Sequence, residues 1–189
     1  MAKYPYFEAL ETLSALAVQA VQIACTDAFK KEKETLRTIR LSRDKSVCEL
    51  EDALFCDFLP PLERDNLAAM AHGLSRVIDC ASDLALSKMH ISVTSLANEE
   101  ARICILLAEQ LERDIGRLRT IRKPSEMPSL REFRELLAEA RASHGTMLGR
   151  VASGAFPRQA AETIILCGKL RSELSRAFDE LVEIMLNNI

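Results

Sequence analysis

Glycine and proline number only six each, and tryptophan is absent. A chain this short of breakers, 48% hydrophobic and rich in Ala, Leu, Glu and Arg, points to an all-α protein. No charge of one sign dominates, and a net charge of -3 gives no field that would favour nucleic acid. Long hydrophobic runs are missing too. The longest, Ala15 to Cys25, is broken by Gln19 and Gln22 and is too short to span a bilayer. None of the six cysteines stands in a C-x-x-C pair, which argues against a zinc ribbon or redox motif. Most occupy positions where a helix would bury a small apolar residue, as reduced core thiols in a cytoplasmic protein do. The first residues carry no signal-peptide pattern. There is no Gly-rich phosphate loop, no Gly-x-Ser-x-Gly and no His-Glu-x-x-His, and His72, His90 and His144 lie on different helices or helix ends. No enzyme chemistry is therefore expected.

What is present is periodicity. From Phe58 to Asp79 the chain holds its only Pro-Pro and its sharpest helix start. Pro61 suits a first helical turn, and Glu63 and Asp65 complement the positive end of the helix dipole. Leu67, Met70, Leu74, Val77, Ala81 and Leu84 then recur at steps of three and four, one apolar face of a long helix. Similar stripes predict a first helix over about Tyr6–Phe29 (Leu10, Leu13, Ala17, Val21, Ala24) and a second over about Lys31–Asp57 (Leu36, Ile39, Val47, Leu50, Leu54). The third helix fades near Ile91. A fourth spans about Leu96–Ile121, with Ile103, Leu107, Leu111, Ile115 and Leu118 inward. Pro124 and Pro128 break the chain. Ser129 and Glu132 form a capping box for a fifth helix that ends near Gly154. The last helix runs from Phe156-Pro157 to about Leu186, with Cys167, Leu170, Leu174, Phe178, Leu181 and Met185 on one face.

Beside the apolar stripe of the second helix runs a basic one, Lys30, Lys33, Arg37 and Arg40, ending in Asp44. A charge run of this kind is usually a solvated face; it also suits an anion, a membrane surface or acids on a neighbouring helix. The sequence Leu74-Ser75-Arg76-Val77-Ile78-Asp79 returns as Leu174-Ser175-Arg176-Ala177-Phe178-Asp179. Its matching place in both halves reads as an internal duplication: a six-helix bundle of two antiparallel three-helix repeats, about residues 5–93 and 95–189, forming a single domain over 1–189.

In this layout the chain resembles the PhoU-like phosphate-transport regulators. It is most similar to the subgroup encoded beside low-affinity phosphate transporters, the domain of unknown function forty-seven. That subgroup reads Phe-Ile-Thr-Pro-x-Asp-Arg-Glu-Asp-Ile before its third helix. Phe58-Leu59-Pro60-Pro61-Leu62-Glu63-Arg64-Asp65-Asn66-Leu67 follows it closely, and Tyr6-Phe7-Glu8-Ala9-Leu10 resembles its opening. The resemblance implies a cytoplasmic regulator or accessory of phosphate transport. Its expected partner is a phosphate permease or another membrane-associated protein, through peripheral contact with the membrane, and a second copy of the chain is a further candidate.

The resemblance also implies a metal face of carboxylate pairs four residues apart, which gather hard oxygen ligands on one side of a helix. Here those pairs fall on Arg40 and Asp44, Ser75 and Asp79, and Ser175 and Asp179. On the fifth helix they fall on Glu139 with Ser143, or on Glu135 with Glu139. Each of the first three pairs keeps one acid and loses the other. A face with half its carboxylates and an added cation is expected to hold no metal and no cofactor, with Arg40 reaching Asp44 or Asp79 and Arg76 as a second candidate. A metal-binding bundle on the remaining acids and a structural helical dimer are the alternatives.

Overall fold

The computed structural model describes residues 4–26, 32–57, 60–88, 95–120, 130–156 and 158–187. Six helices carry the chain: α1 (Tyr6–Cys25), α2 (Lys33–Cys56), α3 (Arg64–Lys88), α4 (Ser95–Arg117), α5 (Leu130–Ala152) and α6 (Arg158–Asn187). There is no strand among the described residues. Lys30, Phe58, the segment around Ile91, the break from Pro124 to Pro128 and the Ser129 cap lie outside the described residues.

The stripes are where burial falls. Leu67, Met70, Leu74, Val77, Ala81 and Leu84 of α3 are fully buried. So are the inward sets of α1, α4 and α6, at 8% exposure or less. Each leucine so covered is worth about 1.5–3 kcal/mol of hydrophobic transfer. Contacts divide the helices into a centre and two edges. α1, α3, α6 and α4 pack in a ring; among the described residues α2 lies mainly against α1 and α3, and α5 mainly against α4 and α6. The α3–α6 seam is tight. A Cβ on Gly73 would stand 3.5 Å from both Cα and Cβ of Ala177, so small residues on each side bring the two helices together. Phe178, beside that seam, stacks on Phe133 of α5 with ring centroids 3.7 Å apart.

Two ends differ in detail from the sequence reading. α3 begins at Arg64, not Pro61, and Leu67 donates its N–H to the Glu63 carbonyl at 3.0 Å. The prolines therefore shape the approach to the helix instead of its first turn. The approach is clamped from below. Arg64 donates to the carbonyls of Leu54 and Asp57, and Tyr6 Oη donates to Asp57 Oδ2 at 2.8 Å. α5 ends as expected: Gly154 sits at φ 72°, where only glycine is unstrained. The Gly154 and Ala155 N–H groups close back on the carbonyls of Val151 and Arg150 at 3.0 Å.

Candidate functional site

Asp44 on α2 and Ser75 and Asp79 on α3 do come together, and the cation between them is Arg43. Its NH1 nitrogen lies 2.8 Å from Asp79 Oδ1 and donates to Ser75 Oγ at 2.8 Å and to the Ser75 carbonyl at 3.1 Å. Its Nε lies 2.7 Å from Asp44 Oδ1, although the N–H is not aimed at that oxygen, so this contact is Coulombic only. The Arg43 side chain is 8% exposed, whereas Asp44 and Asp79 are 61% and 49% exposed. The guanidinium therefore closes the inner side of a carboxylate pair whose outer side faces water.

The expected cation, Arg40, is not in this cluster. It is exposed and makes no ion pair among the described residues. The reason is helical phase. Arg43 continues the buried stripe of α2 between Ile39 and Leu50, so it points into the α2–α3 seam, while Arg40 stands at the solvent edge of that seam. Arg76 is also engaged elsewhere: its Nε lies 3.0 Å from Glu173 Oε2. Arg176, its echo in α6, reaches the same Glu173 at 3.1 Å through the other oxygen. Both arginines of the repeated motif thus converge on one nearly buried acid, Arg76 across the seam and Arg176 from one turn along α6.

The second-half candidates do not form a matching cluster. Glu139, Glu135 and Asp179 are exposed, and Ser143 and Ser175 are half-buried. The buried polar centre of that half is different. Glu100 on α4 and His144 on α5 meet at 3.1 Å, at 7% and 10% side-chain exposure. Arg171 donates to the Ala140 carbonyl at 2.8 Å beside them. Gly168 makes room for the imidazole, since a Cβ there would stand 2.3 Å from His144 Nε2 and 2.4 Å from its Cε1.

Lys33, Arg37 and Arg40 of the basic stripe line one groove between α2 and α3, of about 320 Å³. Leu36, Leu41 and Leu86 provide its apolar floor and wall. Leu41 and Leu86 are 61% and 42% exposed there.

The cysteines split. Cys25, Cys80, Cys104 and Cys167 are buried, but Cys48 and Cys56 are exposed. Burial pushes the Cys167 thiol up to about 12 and raises Cys80 as well, so neither supplies a thiolate near neutrality.

A bound cation does not fit the α2–α3 cluster. The donors are two carboxylates and a hydroxyl, and a fixed positive charge already touches all three. Among the described residues no group of three or more His, Cys, Asp or Glu side chains is placed to hold a metal ion. No helix among them is long and apolar enough to cross a membrane.

No family model matches the sequence, and no curated protein does. Solved structures do match in fold. One is described as a PhoU-like phosphate regulatory protein from Shewanella oneidensis MR-1. It superposes with a TM-score of 0.62 at 15% identity, over 96% of this chain and 95% of that one. A second, described as a PhoU-like protein from the same organism, gives a TM-score of 0.62 at 13% identity over 96% of each chain.

Proposed function

With the PhoU-like fold as the starting point, we propose that this chain is a non-catalytic cytoplasmic regulator or accessory of phosphate transport that acts by binding a protein at the membrane. The observation that carries the reading is the match to a PhoU-like phosphate regulatory protein along nearly the whole of both chains. A regulator needs a docking surface and no reaction chemistry. The partner expected is a phosphate permease or a protein bound to it, met through the exposed cationic side of α2.

Within this reading, Arg43 does the job a bound cation would do. It neutralises part of the Asp44–Asp79 pair and ties α2 to α3. Regulation would then be independent of divalent metal. The alternative of a metal-binding bundle is disfavoured by the same guanidinium, because it occupies the place that oxygen ligands would share.

The test is phosphate uptake and phosphate-starvation reporter expression in a strain deleted for this gene. Changed uptake or reporter expression, restored by the wild-type gene, supports the proposal. Unaltered uptake and reporter expression in phosphate-rich and phosphate-poor medium would rule it out.

A further inference from the structure

α2 is an edge helix that packs on α1 and α3 and leaves its outer side uncovered. Three residues on that side stand at heptad spacing, Leu41, Cys48 and Phe55. All three are exposed, Leu41 at 61% and Phe55 at 87%. A phenylalanine this open, beside no apolar cover, is a large unsatisfied apolar surface. The stripe is also symmetric about its middle: Leu41 and Phe55 lie equally far from Cys48. An antiparallel two-fold pairing of α2 with itself would set Cys48 on the axis and Leu41 of each copy against Phe55 of the other.

The neighbouring groove is on the correct side to take that ring. Leu41 is part of its wall, Leu36 and Leu86 are its other apolar faces, and Arg37 and Arg40 stand at its rim. A guanidinium over an inserted phenyl face adds a cation–π attraction. Charge polarity along α2 favours the same arrangement. Before Cys48 the exposed charges are Lys33, Glu34, Arg37, Arg40, Asp44 and Lys45, and after it they are Glu49 and Asp52, with Glu51 half-exposed. The dyad on Cys48 brings Lys45 within one residue's rise of Asp52 of the second copy on the same flank. Asp44 and Glu51 approach each other on the opposite flank, but each has its own cationic or imidazole partner, Arg43 and His72.

We propose that the outer face of α2 is a self-association surface, on which two copies pair antiparallel about Cys48 with Phe55 of each seated in the groove beside Leu41 of the other. This inference does not rest on the phosphate-transport reading, but the pairing occupies the Arg37–Arg40 groove and so competes with a partner docked on the cationic side of α2.

The experiment is the mass of the full chain in solution by light scattering across a concentration series, with helix content checked by circular dichroism. The expected result is twice the chain mass for the parent. Phe55→Glu and Leu41→Glu are both at exposed positions and should keep the fold; each should shift the species to the mass of one chain. In a Cys56→Ser background, a short bismaleimide should link the parent through Cys48, and Cys48→Ser should abolish the link without dissolving the dimer. A single-chain mass at every concentration overturns the proposal. So does a dimer that survives both glutamate substitutions, or one that cannot be linked through Cys48.

Discussion

Arg43→Met removes a guanidinium and keeps an unbranched stem of similar reach, so it isolates what the charge contributes between α2 and α3. The donor loses two hydrogen bonds to Ser75, at 2.8 and 3.1 Å, and its contacts with Asp44 and Asp79. Hydrogen bonds from a charged donor are worth about 1.5–3 kcal/mol. The two ion pairs add less, because Asp44 and Asp79 are 61% and 49% exposed and water takes over their solvation. Pairs of that kind contribute about 0–1 kcal/mol each. Against this, the variant no longer has to desolvate a guanidinium, and a methionine fits the stem's channel well. The expected net loss is about 1–2 kcal/mol, in the lower part of the gross sum. Urea unfolding followed by circular dichroism measures it, with the slope unchanged if two-state behaviour holds. Asp79→Asn supplies the second arm. It should weaken the parent, yet be neutral or stabilising in the Arg43→Met background, where it removes a carboxylate facing Asp44. Additive effects of the two substitutions would refute the reasoning, because an Arg43–Asp79 interaction must appear as coupling.

Elemental analysis of protein purified without added metal should find no stoichiometric iron or zinc, and a chelator should not shift unfolding of the parent. In Arg43→Met with Ser75→Asp, three carboxylates would surround the vacated position, and a divalent cation should become stabilising. Gly168→Ala should cost about 2 kcal/mol, because its methyl must displace a buried imidazole that has nowhere to go. Gly145→Ala on α5, with open space around its Cβ, should instead stabilise by up to about 1 kcal/mol. Denaturant midpoints of both variants decide this. Burial, then its bond to Asp57, pushes the Tyr6 phenol from 10.0 up to about 12. The folded state therefore holds this proton more tightly than the unfolded chain. Its contribution is fully present below pH 10 and falls away as pH rises towards 12. Tyr6→Phe should be less stable at neutral pH but lose less stability over that alkaline interval, measured by unfolding at a series of pH values.

The helices were legible because burial follows a simple period. The stripe of α3 could be written down residue by residue, and all of it is covered. Helix starts were less so: Pro61 looked like a first-turn residue, yet the chain uses it one step earlier, as part of the bend that Arg64 clamps. The site was half legible. The resemblance places Asp44, Ser75 and Asp79 together and puts the cation four residues before Asp44, whereas in the structure it stands one residue before it. The signal for Arg43 was present. Ile39, Arg43, Val47 and Leu50 continue one stripe at steps of four and three, with a charge where an apolar residue belongs. His144 interrupts the stripe of Phe133, Leu137, Ala140 and Met147 in the same manner. A polar residue on an apolar period needs a hydrogen-bonding or ionic partner, and the partners are Asp79 with Ser75, and Glu100. Their identity depends on how neighbouring helices are phased, which a single stripe does not encode.

The division into a ring of four helices and two edge helices has a consequence for cooperativity. The ring is held mainly by continuous apolar contact and close backbone approach at Gly73 and Ala177, interactions that salt barely touches, with the Arg76–Glu173 pair added across the same seam. Each edge helix adds a polar fastener to a smaller apolar contact. For α2 it is Arg43 on Ser75 and Asp79, and for α5 it is His144 on Glu100 with Arg171 on the Ala140 carbonyl. The molecule is therefore graded, and its edges are the foldons of lower opening free energy. Amide protons of α2 and α5 should therefore exchange through local detachment, and those of α3 and α6 only through global unfolding, which native-state hydrogen exchange measures. A helix that can lift from one seam without dissolving the rest is a surface that can be remade in contact with something else, and α2, with its open outer face, is free to do so at the least cost to the core.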